Sequence, residues 1–182
     1  QIVSDFIRDF RKRETIVIVD PVMGDYGKPY TTYTKTMCQH MKELVHHADI
    51  ITPNLTEACV LTDTPYKEQW RMKELEALAV RLSEMGPSKV VITGIPQKTY
   101  VSNFCCENKT GFAMIKTHKV GTSRSGTGDI FAGIIAAEAV KGSDFNESVR
   151  KASRFIKKCI MKSIELDIPL TDGVCFEELL ST

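Results

Sequence analysis

The sequence lacks the features that would direct it to a membrane, an oxidising compartment or a polyanion. No apolar run approaches the ~20 residues that cross a bilayer, and the polar opening Gln1-Ile2-Val3-Ser4-Asp5 is not a signal peptide. Neither sign of charge forms a block: 24 Lys plus Arg against 23 Asp plus Glu leave a formal +1, which excludes the basic footprint of a nucleic-acid binder. The six cysteines (Cys38, Cys59, Cys105, Cys106, Cys159, Cys175) contain no CxxC pair and no recurring metal-ligand spacing, so buried reduced thiols are expected rather than disulfides or zinc. The single tryptophan, Trp70, has no second aromatic at stacking spacing and is expected to pack helix on sheet. These absences predict a cytoplasmic protein with neither nucleic-acid nor membrane partners.

What is present fits one folded unit over residues 1–182, since 42% hydrophobic residues can fill a core covered on both sides. Ile2 to Arg13 reads as a helix with one apolar stripe, and Thr15 to Asp20 as a strand buried on both faces. A chain that opens on a helix with no strand before it is expected to be part of something longer. Pro21 to Tyr33 reads as a loop, Thr36 to His47 as a helix, Asp49 to Thr52 as a short strand and Leu55 to Leu61 as a helix. A Thr64 cap before Pro65 predicts a long helix to Glu84, stopped by Gly86-Pro87. Lys89 to Thr93 is again a doubly buried strand. Thr99 to Cys106 and Gly111 to Thr117 form a hairpin around Asn108-Lys109-Thr110-Gly111. Helices are expected over Thr127 to Val140, Asp144 to Ile164 and Phe176 to Leu180, the second with a capping-box start at Asp144. The fold class is α/β: a three-layer sandwich with a mostly parallel central sheet and helices on both faces. Ligands in such sheets bind at the carboxyl ends of the strands, which selects Asp20, Thr52, Thr93 and the 121–128 loop.

The sharpest chemical signal is Gly126-Thr127-Gly128-Asp129, a glycine turn feeding a small-residue helix. Backbone amides converging at a helix start, where the dipole end is positive, suit an anion. No GxxxxGK[ST] loop and no GxGxxG fingerprint occurs. Asp129 is either a charge that favours the helix start or a carboxylate that takes a proton from a substrate hydroxyl during phosphoryl transfer. Asn54 and Glu57 read equally as a capping box or as groups that hold water and magnesium against phosphates. Asp20 ends a buried strand, where a carboxylate is costly unless paired or beside a cation; a turn former before Pro21 is the other reading. Thr52 and Thr93 end neighbouring strands and add oxygens to the same edge. His118 and Lys119 precede the glycine loop as nucleotide contacts or solvated residues, and Arg124 either reaches a transferring phosphate or points to solvent. His40, His46 and His47 have no sound metal spacing and are expected at the surface.

Four segments in order resemble the pyridoxal (vitamin B6) kinases of the ribokinase-like superfamily: Val19-Asp20-Pro21-Val22-Met23-Gly24-Asp25, Ile51-Thr52-Pro53-Asn54-Leu55-Thr56-Glu57-Ala58, Val91-Ile92-Thr93-Gly94 and Gly126-Thr127-Gly128-Asp129. The resemblance spans essentially the whole chain and makes it similar to the C-terminal two thirds of that family, the N-terminal strands being absent. It implies ATP-dependent phosphorylation of the 5′-hydroxymethyl group of pyridoxal, pyridoxine or pyridoxamine, with Asp129 as base and Gly126, Thr127 and Gly128 as the anion hole. Asp20 and Glu57 would handle Mg²⁺, with Thr52 near an activating monovalent cation such as K⁺. Asn54 and Thr93 would lie by the triphosphate, Asp25 and Tyr26 over the nucleotide, and the 118–125 stretch, with His118, Lys119 and Arg124, beside ribose and adenine. The resemblance also implies a homodimer of the full-length protein and too little activity in this chain alone. Hydroxymethylpyrimidine kinases of the same superfamily share similar signatures and are the alternative; Asp129, where those enzymes tend to carry cysteine, and Gly24-Asp25 favour vitamin B6. A non-catalytic nucleotide-binding regulator is the alternative of another class.

Overall fold

The computed structural model describes residues 2–180. In chain order, α1 (Ile2–Phe10) precedes β1 (Ile18–Val19), the short pair β2 (Gly24–Asp25) and β3 (Lys28–Pro29), α2 (Lys35–Val45), β4 (Ile50–Ile51), α3 (Leu55–Leu61) and α4 (Met72–Glu84). There follow β5 (Lys89–Pro96), β6 (Tyr100–Glu107), β7 (Gly111–His118), α5 (Thr127–Val140), α6 (Phe145–Glu165) and two short 3-10 turns at Leu170–Asp172 and Glu177–Leu179. The five-stranded sheet has the order β1-β4-β5-β6-β7, with β1/β4 and β4/β5 parallel. The connections from β5 to β6 and from β6 to β7 are three residues each, too short for a parallel crossover, so these strands run antiparallel. This is the α/β, ribokinase-like sandwich that the alternating strand and helix grammar predicts.

The chain up to Ile95, with Asn103–Met114, forms one compact unit; Pro96–Ser102 and the chain from Ile115 onward form a second. In the first, Val90 and Ile92 on the fully buried centre of β5 pack with Ile51, Leu55, Leu75, Leu82 and Phe104. Burial of this kind contributes roughly 1.5–3 kcal/mol per large side chain. In the second, α5 and α6 pack against each other, with Phe131, Ile135, Val149, Ala152 and Cys159 buried. The six cysteines are free thiols, four of them buried, and burial pushes the Cys59 and Cys159 thiols up to about 11. No helix among the described residues is long and apolar enough to cross a membrane.

Three expectations need correction. The helix expected from Pro65 begins only at Met72: the Thr64 hydroxyl is engaged by Thr62 (2.7 Å) and Arg81 (2.8 Å), and Glu74 instead accepts the Arg71 amide (2.7 Å). The loop from Pro21 contains the β2/β3 hairpin, whose turn residues Tyr26 (φ 49°) and Gly27 (φ 77°) both lie in the left-handed region. The first strand is shorter than expected and not buried throughout: β1 is Ile18–Val19, with Val19 buried, Ile18 half-buried and Ile16 before it exposed.

Candidate active site

Parallel register decides which strand-end residues meet. Ile18 pairs with Ile50 and Val19 with Ile51, so the next residues, Asp20 and Thr52, stand side by side, and the Thr52 hydroxyl donates to Asp20 at 2.7 Å. One strand further, Thr93 bridges Asn54, its amide donating to the Pro53 carbonyl at 2.8 Å. The carboxyl edge of the first unit thus gathers Asp20, Thr52, Asn54 and Thr93.

Asn54 caps α3. Its Oδ1 accepts the Glu57 amide at 2.9 Å, and a Glu57 oxygen accepts the Asn54 amide at 2.8 Å, a complete capping box. The same residues hold the segment that follows β1. The other Glu57 oxygen accepts the Met23 amide (3.1 Å), Asn54 Nδ2 donates to the Gly24 carbonyl (2.8 Å), and the Thr56 hydroxyl accepts the Gly27 amide (2.8 Å). Thr56 lies within the Ile51–Ala58 motif, yet this role has no signature in one dimension. Glu57 is 4% exposed, and its carboxyl is pushed up to about 7, chiefly by burial and further by nearby Asp20, against the lowering effect of the amides it accepts. Beyond this cluster, Asp25 is half-buried and accepts the Tyr26 amide, while Tyr26 stands exposed at the hairpin tip.

Oxygen donors dominate this edge, and no group of three or more His, Cys, Asp or Glu side chains able to hold a metal occurs among the described residues. A hard cation that keeps several waters and leans on one or two carboxylates suits such a set; an all-protein cage does not.

In the second unit, Gly126 caps α5 with φ 84°, a left-handed conformation that costs an L-residue about 1–2 kcal/mol and glycine little. The amides of Thr127, Gly128 and Asp129 stand at the start of α5, where no intrahelical acceptor exists, and the Ser125–Gly126 turn folds this start back toward the Arg124 carbonyl. Gly126, Asp129 and Ile130 line a hollow of about 360 Å³, walled on its other side by Val174 and Phe176. The Thr127 hydroxyl turns back to the Arg124 carbonyl at 3.1 Å. Asp129 therefore borders a hollow beside the positive end of α5. Val174 and Phe176 are far from the motif in sequence and carry no signal that could have found them.

Arg124 takes neither of the two roles weighed from sequence. It is 8% exposed, and its guanidinium donates to the carbonyls of Ile168 (2.8 Å), Pro169 (3.0 Å) and Gly173 (3.1 Å). His118 ends β7 and Lys119 follows it, both exposed. The His118 ring lies 4.4 Å from that of Tyr100, and the Lys119 amide donates to the Thr99 carbonyl.

The family model for phosphomethylpyrimidine kinase matches residues 1–170. The chain is similar to the chloroplastic thiamine biosynthetic bifunctional enzyme TH1 of Arabidopsis thaliana, 31% identical over 155 residues, 84% of this chain and 29% of that protein. A candidate phosphomethylpyrimidine kinase of Bacteroides thetaiotaomicron, in its rhombohedral crystal form, superposes with a TM-score of 0.95 at 33% identity, over 99% of this chain and 63% of its own. Its orthorhombic form, with pyridoxal, gives 0.85 at 34% identity, over 90% and 58%. Pyridoxal kinase of Leishmania donovani, in complex with ADP and pyridoxine, gives 0.76 at 25%, over 90% and 57%. The chain spans less than two thirds of the length of each.

Proposed function

This chain belongs to the phosphomethylpyrimidine kinase family, and on that premise we propose that it carries the phosphoryl-transfer site of an ATP-dependent kinase. Its acceptor is the exocyclic hydroxymethyl group of a small nitrogen heteroaromatic ring, with hydroxymethylpyrimidine the acceptor that family membership favours. The observation that carries the reading is the left-handed Gly126 turn at the start of α5, with Asp129 in the first helical turn lining the adjoining hollow. The amides of Thr127, Gly128 and Asp129 offset charge on the transferring group. Asp129 orients the hydroxyl and takes its proton as the new oxygen–phosphorus bond forms and the bond to ADP breaks; because the transfer is loose, the proton leaves late and a weak base suffices.

Asp20, Glu57 and Thr52 are the proposed keepers of a hydrated Mg²⁺ and of a monovalent cation such as K⁺. Bound magnesium neutralises charge on the phosphates. Both Glu57 oxygens already accept amides, so its part is to accept hydrogen bonds from waters on the ion through its remaining lone pairs. Asn54 and Thr93 serve the phosphates, and Asp25, Tyr26, His118 and Lys119 the rest of the nucleotide.

Pyridoxal is the second reading. Asp129 and Gly24-Asp25 favour it, and so does the pyridoxal in a crystal form of a protein 34% identical to this one. The deciding experiment measures ADP formation by the intact protein with hydroxymethylpyrimidine, pyridoxal, pyridoxine and pyridoxamine in turn. A specificity constant highest for hydroxymethylpyrimidine supports the first reading, and one highest for a B6 vitamer replaces it by the second. ADP formation that no acceptor stimulates, with nucleotide still bound, would leave a regulatory nucleotide-binding protein.

A further inference from the structure

The segment that walls the Asp129 hollow has little of its own to hold it in place. No residue from Ile164 to Leu180 is fully buried, and only Ile168, Gly173 to Phe176 and Leu179 are partly so, which makes local opening of this stretch cheaper than that of the core. Polar bonds add definite points of attachment. The Arg124 guanidinium binds carbonyls on both sides of the Leu170–Asp172 turn, Ile168 and Pro169 before it and Gly173 after it. The buried Ser163 hydroxyl accepts the Cys175 amide at 2.8 Å, and the Ser163 carbonyl accepts the Ile168 amide at 2.9 Å. Ser163 holds two backbone points, whereas Arg124 closes the turn from both ends. A buried guanidinium is costly unless its donors are used, and a planar fork meets several carbonyls at once in a way that an ammonium does not.

Arg124 also sits two residues before Gly126, so the tether joins the anion turn to its own wall. A Cβ on Gly126 would stand 3.8 Å from Val174 Cγ1, and one on Gly173 would stand 3.4 Å from the Ser125 carbonyl oxygen. We propose that Arg124 is a positioning residue: it fixes Val174 and Phe176 against the Gly126–Asp129 turn, and thereby sets how tightly the hollow holds its substrate. The proposal rests on the kinase reading for what the hollow binds; the tether itself does not depend on that reading.

The test uses the intact protein and two readouts. Amide hydrogen exchange without ligand should accelerate by about tenfold or more over residues 168–176 in Arg124→Met, and less in Arg124→Lys, which keeps the charge but not the fork. Half-saturation for ATP or for the acceptor should rise about tenfold, while kcat stays within about threefold, the split expected when ground-state and transition-state binding fall together. Phe176→Ala covers the case in which Arg124→Met does not fold: it removes the wall and spares the tether, so half-saturation should rise with exchange over 168–173 unchanged. Unchanged exchange in Arg124→Met would overturn the proposal. So would unchanged half-saturation for both substrates in Arg124→Met or in Phe176→Ala. Absence of turnover in the unsubstituted protein would sink the kinase reading alone, and the exchange measurement would still decide the tether.

Discussion

Replacing Glu57 by Gln should change how stability depends on pH, and the structure sets both sign and size. In the folded chain the Glu57 carboxyl titrates at about 7 against an ordinary 4.5, chiefly because burial penalises its charged form. The folded state therefore holds this proton more tightly than the unfolded state. The resulting stability is fully present below pH ~4.5, declines as pH rises, and is gone above about 7. A difference of about 2.5 pH units corresponds to about 3 kcal/mol at most. Glutamine abolishes that titration but supplies one acceptor oxygen where two amides, of Met23 and Asn54, now find one each. Leaving one of them unsatisfied costs about 1–3 kcal/mol. The variant should thus be less stable than the parent at pH 4.5 and should draw level with it, or pass it, by pH 8. Urea denaturation in metal-free buffer between these limits gives the difference curve, from which the other titrating groups cancel. Parallel curves for parent and variant would refute the reasoning, because Glu57 would then have no abnormal titration to lose.

Two further outcomes follow from α5. Asp129→Asn should lower kcat by about 10²–10⁴-fold if Asp129 takes the acceptor proton, yet cost only about 0.3–1 kcal/mol of stability from its place in the first helical turn; kcat and urea midpoints measured on the same preparations check both. Gly126→Ala should cost about 1–2 kcal/mol from backbone conformation alone, since its Cβ would meet only Val174 Cγ1, at an ordinary 3.8 Å; a urea-derived loss well above that would mean that the turn is packed more tightly than the structure has it.

Much of the fold was legible because local chemistry and global packing agree. Gly126 before Thr127 and Asp144 three residues before Glu147 mark helix starts that the structure keeps, with Asp144 accepting the Glu147 amide at 3.0 Å. Val90, Val91 and Ile92 read as buried on both faces and are. The start of α4 was not legible, since Thr64 looks like a cap only until Thr62 and Arg81 compete for its hydroxyl. The meeting of Asp20 with Thr52 follows from parallel strands ending in register, which the repeating strand and helix pattern implies. Arg124 was illegible for the opposite reason: its partners lie 44 to 49 residues away, on a segment without periodicity.

The Asn54 and Glu57 pair shows why choosing between structural and functional readings of one motif can be the wrong question. Sequence offered a helix cap or a place for phosphate and magnesium. The structure contains the cap, but the cap uses only part of each side chain. The remaining Glu57 oxygen holds Met23, and the remaining Asn54 amide holds the Gly24 carbonyl. With Thr56 on Gly27, the first turn of α3 anchors the whole segment from Met23 to the hairpin tip, directly after Asp20. A cation whose waters use the remaining lone pairs of Glu57 pulls on the carboxylate that holds Met23, and a phosphate that takes the Asn54 side-chain amide draws it from the Gly24 carbonyl. Charge at this edge and the position of the 23–27 segment therefore cannot vary independently, and a ligand that changes one must change the other.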